Sequence, residues 1–223
     1  MVVPVLDEAR ALPGLLDHLA ALPGRWDVVV CDGGSRDGSA ALAGAHGLAP
    51  RVLEAPRGRA RQLNAGAAVA RGEVIVFLHA DSRLPAGAYA ALRAALRDPA
   101  CRGGNFALRF DGEDRFSRGL TRWYALQRRL GVYYGDSALW LRRAEWEALG
   151  GFADLAIMEN LELVRRLARR GRAACLPGPV LTSARRWQAL GPWRTALAWT
   201  VVRWAWLAGV PAERLARLYR AVR

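Results

Sequence analysis

The sequence predicts an α/β fold: a mostly parallel mixed sheet flanked by helices, with a helical extension towards the C-terminus. Three observations carry this prediction. Short β-branched runs alternate with apolar-periodic stretches through the first two-thirds of the chain. Acidic, glycine-rich turns follow those runs. After Trp187 the composition shifts to tryptophan, alanine and arginine, which divides residues 1–187 from a tail at 188–223. Strands separated by helix-length segments pair in parallel through right-handed crossovers.

The elements follow in order. Val2 to Leu6 reads as a strand and Glu8 to Leu22 as a helix with one apolar face. Trp26 to Cys31 is a second strand, running into the turn Asp32-Gly33-Gly34-Ser35-Arg36-Asp37-Gly38-Ser39. A helix over 40–46, a short strand over 51–54, a helix over 59–70 and a strand over 73–78 complete the regular half. Later segments are less regular: strands near 103–110, 137–142 and 177–183, and helices over 117–130, 143–149 and 158–170. In open α/β sheets ligands bind beyond the carboxyl ends of the strands. Asp32 and Asp81 fall at those ends.

Composition narrows the chemistry. The 223 residues are 52% apolar and 24% charged, ordinary for a globular chain, but the net charge is +13. All 33 basic residues are arginine. Without lysine, mechanisms that need a phosphate-loop lysine or a Schiff base are excluded. An arginine-rich surface attracts phosphates, anionic headgroups or nucleic acid. No helix-turn-helix, zinc or RNA-recognition motif occurs, so nucleic acid is not an expected partner. Cys31, Cys101 and Cys175 form no CxxC pair, which argues against a zinc site or disulfide framework. Met1 leads directly into an apolar run with no basic region, so no secretory leader is expected and a cytoplasmic location is.

Asp32, Asp37 and Asp81 sit among glycine, serine and asparagine. Carboxylates there suit a nucleotide diphosphate, as acceptors for base or ribose and as ligands for Mg²⁺ or Mn²⁺. Asp81, with His79 beside it, is the candidate metal position. An equally open reading makes the first cluster a turn in which Asp37 or Ser39 caps the next helix. Arg57, Arg59 and Arg61 around Gly58 form a candidate anion site at a helix start, or a solvated basic face.

These residues together resemble glycosyltransferase family 2. The motifs are Pro4-Val5-Leu6-Asp7-Glu8, the Asp32–Ser39 turn, Gly58–Gly66 and Glu73–Ser82. Tyr134-Gly135-Asp136, Leu149–Phe152, Met158–Leu163 and Ser183–Trp187 follow in order. The branch most similar is the radical-SAM/selenodomain-associated transferases. The resemblance implies a GT-A fold and inverting transfer of a sugar from a nucleotide donor, UDP being the commoner nucleotide. It assigns Pro4, Leu6, Glu8, Asp32, Arg59, Asn64 and Ala80 to the nucleotide, and Asp81 with His79 to the metal. Asp136 is then near the transferred sugar, and Arg185, Arg186 and Trp187 near phosphates or acceptor.

One position departs from the pattern. The family's Glu-Asp pair, whose aspartate is the expected general base, reads Glu159-Asn160 here. An amide cannot take a proton from the acceptor hydroxyl. Glu159 acts as base instead, or the change was engineered to trap a complex, or the chain is a weak or inactive sugar-nucleotide binder.

The tail stretch Trp193–Ala208 is apolar nearly all round, with Arg194 and Arg203 interrupting it. It is short for a span, which takes about 20 apolar residues. It fits a helix lying among headgroups at the inner face of the plasma membrane, serving a lipid-linked acceptor, or a helix whose tryptophans pack on the domain. A second amphipathic helix starts at Pro211, with Leu215, Leu218, Tyr219 and Val222 on one face.

Overall fold

The computed structural model describes residues 1–221; Val222 lies outside the described residues. Strand β1 (Val2–Val5) pairs in parallel with β2 (Val29–Asp32), which pairs in parallel with β3 (Arg51–Glu54). Helix α1 (Leu12–Ala21) joins β1 to β2, and α2 (Ser39–Gly44) joins β2 to β3. α1 starts four residues later than the apolar period suggests. Glu8 is held in the preceding loop, and Pro13 is tolerated only in a first helical turn.

Helix α3 (Arg59–Val69) leads to β4 (Val74–Val76). β4 is half the length expected, but its line continues. Phe77 bridges Val2 in parallel, and the Leu78 amide donates to the Val2 carbonyl at 3.0 Å. That bridge joins the parallel sheet to a mixed one of order β4-β7-β6-β8-β5. Its other members are β5 (Ser82–Arg83), β6 (Cys101–Phe110), β7 (Trp140–Arg142) and β8 (Arg172–Thr182). β7 runs antiparallel to β4 and β6, whereas β8 runs parallel to β6. β8 begins well before the expected Pro177, because the register shift between Phe106 and Leu108, opposite Leu176 and Val180, absorbs the Pro177-Gly178-Pro179 interruption.

Period-two burial explains the layers. Val3, Val5, Val30, Val76 and Leu78 face one core with Leu12, Leu15, Leu16 and Leu19 of α1 and with α4 (Ala88–Ala95). Val2, Val29, Cys31, Ile75 and Phe77 face a second core with α3 and with α7 (Glu159–Ala168). α6 (Arg143–Leu149) flanks that side.

A third, smaller core lies under α5 (Arg115–Arg129), α8 (Arg185–Leu190) and α9 (Pro192–Leu207). α10 (Ala212–Ala221) follows. The tail tryptophans divide between packed and exposed. Trp199 packs edge-on to Trp187 at 6.0 Å, while Trp193 and Trp204 are exposed.

Candidate active site

The loops after β1 and β2 are bound to each other. The backbone amides of Asp7, Glu8 and Ala9 donate to Ser35 Oγ, Ser39 Oγ and Asp37 Oδ2 at 2.8–2.9 Å. In return Asp7 Oδ1 accepts from the Arg36 amide at 2.8 Å. Asp37 is therefore a loop clamp, and the residue before α2 is Gly38 in the left-handed region (φ 88°), with no side-chain cap. Asp32, the last residue of β2, is buried at 6% exposure. It accepts from the amides of Gly34 and Ser35 at 3.0 Å and from Ser35 Oγ.

Gln62, not anticipated from the sequence, ties these strands from beneath. Its Nε2 donates to the carbonyls of Val5 at 2.7 Å and Cys31 at 2.9 Å. A glutamine on the otherwise apolar buried face of α3 was the one available signal.

Across the cleft four acids are paired with arginine or histidine. Arg185, at the start of α8, donates to both Glu8 oxygens at 2.6 and 2.9 Å and lies 3.1 Å from Asp81 Oδ2. His79 Nδ1 lies 3.3 Å from Asp136 Oδ1, on the short 3₁₀ turn Gly135–Ser137. Arg59, at the start of α3, donates to buried Glu159 at 3.3 Å, and Asn160 Nδ2 donates to the same oxygen at 2.8 Å. A chain of contacts through Ser35, the Asp7-Glu8 loop and Arg185 thus links Asp32 to Asp81.

The charges are mutually adjusted. Burial alone would push the Asp136 carboxyl up. The hydrogen bond and charge of His79, with Arg186 and Arg59 behind them, outweigh it and hold the pKa at about 2. The Glu159 charge raises Arg59, and hydrogen bonding to Glu8 raises Arg185. Three non-glycine residues with left-handed backbone adjoin this cluster: Asp7 (φ 55°), Ala138 (φ 51°) and Met158 (φ 67°). Such strain persists where surrounding structure over-determines it, which is common at functional sites.

Several expected site residues serve otherwise. Asn64 donates to and accepts from the Phe152 backbone, each at 2.8 Å, and so staples the Gly151-Phe152 turn to α3. Trp187 is buried, donates Nε1 to Ser117 Oγ at 3.0 Å and packs against Phe110. It is a core residue rather than a phosphate or acceptor contact. His79 turns its Nδ1 to Asp136 rather than joining Asp81 as a ligand through that nitrogen. Arg61 points away to Asp154 in a two-pronged pair, so the three arginines near Gly58 do not converge. Arg186 reaches the Tyr219 hydroxyl at 2.5 Å on the tail side, yet still acts on Asp136. Pro4 and Leu6 are half-buried at the end of β1, and Ala80 is buried beside Asp81.

Among the described residues no three His, Cys, Asp or Glu side chains converge to hold an ion unaided. Mg²⁺-type ions, however, commonly take one or two carboxylates, with substrate phosphates and water completing the shell. Asp81, 21% exposed at the cleft and countered by one cation, fits such a shared ion.

The description Glycosyl transferase family 2 belongs to the sequence family that matches residues 1–146. The chain belongs to that family. An uncharacterized glycosyltransferase of Mycobacterium tuberculosis is 33% identical over 87 residues, 39% of this chain and 38% of the relative. The match thus spans well under half of that protein's length. Among solved structures, S. aureus TarS 1-349 in complex with UDP-GlcNAc superposes with a TM-score of 0.66 at 14% identity, covering 82% of this chain and 57% of that one. Glucosyl-3-phosphoglycerate synthase from M. tuberculosis, in complex with Mn²⁺, UDP and glucosyl-3-phosphoglycerate, gives 0.57 at 20% identity, covering 82% and 68%. These likenesses establish the GT-A fold for this chain.

Proposed function

We propose that the chain transfers a sugar, with inversion, from a nucleotide diphosphate donor, a UDP-sugar, to a hydroxyl acceptor. One observation carries the reading: four acids from separate segments, Glu8, Asp81, Asp136 and Glu159, are each neutralised by arginine or histidine in neighbouring pairs. Such pairs are exchangeable. A diphosphate entering the cleft competes for the guanidinium groups, and a metal competes for the carboxylates.

In this reading Asp32, with Pro4 and Leu6 beside it, holds the base, and Arg59, Arg185 and Arg186 face the phosphates. Asp81 contributes the protein ligand of a shared Mn²⁺ or Mg²⁺, which supplies charge neutralisation to the departing diphosphate. Asp136, kept ionised, orients the sugar hydroxyls. Glu159 is the base. The acceptor oxygen attacks the anomeric carbon, its proton passes to Glu159, and the bonding pair of the glycosyl–phosphate bond leaves with the nucleotide.

Residues 1–187 form the catalytic unit and 188–223 its extension. Among the described residues no helix is long and apolar enough to cross a membrane. The tail's exposed Trp193 and Trp204 support a contact with the membrane's inner face, where a lipid-linked acceptor would be met.

The test is a thermal-shift panel of UDP- and GDP-sugars with and without Mn²⁺. A donor at 100 times its Kd adds about 2.7 kcal/mol of stability. A panel in which no nucleotide sugar moves the melting temperature would defeat the reading. A response indifferent to Mn²⁺ would remove Asp81 from its role.

A second reading, a sugar-nucleotide binder of feeble turnover, is favoured by the Asn160 amide and Arg59 both donating to the same Glu159 oxygen. It predicts donor binding without transfer, and no transfer gained by Asn160→Asp.

A further inference from the structure

α5 and α9 run in the same direction and touch through long side chains near both ends. The Phe116 and Trp193 rings are 6.3 Å apart near their starts, and Arg203 Nη1 donates to Gln127 Oε1 at 2.9 Å near their ends. Each helix buries one face: α5 through Ser117 and Gln127, α9 through Thr195 and Val202. On their outward sides both expose large apolar residues at helical spacing. On α5 these are Trp123, Leu126 and Leu130, the last 74% exposed. On α9 they are Trp193, Leu197, Val201 and Trp204, with Trp193 at 79%. A run of this kind over two adjoining helices is unusual for a surface that meets only water.

The charge on these two helices has one sign, with Glu113 and Asp114 lying just before α5. Neither helix contains an acidic residue. Arg115, Arg122 and Arg129, spaced by sevens, form an exposed row along the outer flank of the α5 stripe, and Arg194 is exposed on α9. None of these four has an ion-pair partner among the described residues. A second copy of this chain would set arginine against arginine on a molecule of net charge +13. An anionic lipid surface offers what both features need. Acyl chains and the headgroup boundary take the tryptophans and leucines, and phosphates take the arginines.

We propose that the joint α5–α9 face docks flat on an anionic bilayer, with the two apolar stripes entering the headgroup boundary and the Arg115-Arg122-Arg129 row on phosphate. The face lies next to the candidate site, since Arg203 also stacks over Tyr134, two residues before Asp136. The proposal deepens the membrane contact suggested above by adding α5, and it rests on the transferase reading only for what the acceptor is.

The experiment is co-sedimentation of the full chain with phosphatidylcholine vesicles, with and without phosphatidylglycerol. It uses three proteins: the wild type, Arg115→Gln/Arg122→Gln/Arg129→Gln, and Leu126→Glu/Trp204→Glu. All five positions are exposed, and melting curves establish that the variants fold. Wild type should pellet only with phosphatidylglycerol present. The triple variant should partition about 100-fold more weakly, near fivefold per arginine. The double variant should stay in the supernatant. Equal binding to neutral vesicles, or variants that pellet like wild type, would overturn the proposal. So would a wild-type dimer on gel filtration that the double variant dissolves, because a second copy would then own the face. The donor thermal shift, measured on the same proteins without vesicles, should be unchanged by either variant. It reports separately on the transferase reading.

Discussion

The two walls of the cleft neutralise their acids differently. On the wall after β1 and β2, Asp7, Asp32 and Asp37 accept chiefly from backbone amides and serine hydroxyls. Those donors cannot leave without breaking the loops. On the opposite wall Asp81, Asp136 and Glu159, joined by Glu8, are countered by the side chains of Arg185, His79 and Arg59. Those donors can swing away. The first wall is a fixed frame for the part of a ligand that stays the same. The second can trade protein cations for a metal, or protein anions for a diphosphate, as charge moves during reaction.

If that division is right, the largest effect belongs to the exchangeable wall. Glu159→Gln should lower kcat by about 10²–10⁴ while leaving the donor-induced thermal shift in place; an unchanged kcat would move the base elsewhere. On the fixed wall, Gln62→Leu removes the Nε2 bonds to the Val5 and Cys31 carbonyls, Val5 keeping the Gly33 amide, and should cost about 0.5–1.5 kcal/mol per bond in urea unfolding. Little loss there would mean that the strand ends hold themselves. Arg185→Gln tests exchange directly. A half-exposed pair contributes roughly 0–1 kcal/mol, so stability should barely change, whereas the Mn²⁺-dependent part of the donor shift should grow as Asp81 loses its competitor.

The smallest effect is in pH. Asp136 sits near 2, below its ordinary 3.8, so its contribution to stability is complete above about pH 4 and is lost as pH falls towards 2. Asp136→Asn should flatten that limb of an acid melt; an identical limb would deny the pairing with His79.

The sequence disclosed the fixed wall more fully than the exchangeable one, for a geometric reason. In βα units the chain itself carries polar residues to the strand ends, so Asp32 was placed by counting strands, as was Asp81 alone on the opposite wall. The pairings that distinguish the opposite wall span long separations, Arg59 to Glu159 by 100 residues and Glu8 to Arg185 by 177. No local period reports such contacts. Trp187 was assigned to phosphates or acceptor by the family resemblance, together with the two arginines before it. On a helix each step turns about 100°, so neighbours in sequence face different surroundings, and the indole points into the third core. Asn64 was assigned to the nucleotide by the family resemblance, and its turn partner, Phe152, lies 88 residues on, beyond any local signal. The strands of the second half were placed but not paired, since a period of two says nothing of direction.

The Val2–Phe77 bridge makes a seam: the three-stranded and five-stranded sheets meet there through a single rung beside the Leu78 amide. Whatever grips Asp32 on one side and Asp81 on the other spans that seam and acts as a rivet. Loading the cleft should therefore slow amide hydrogen exchange at Phe77 and Leu78 more than at the strand centres, coupling occupancy to the rigidity of the whole scaffold.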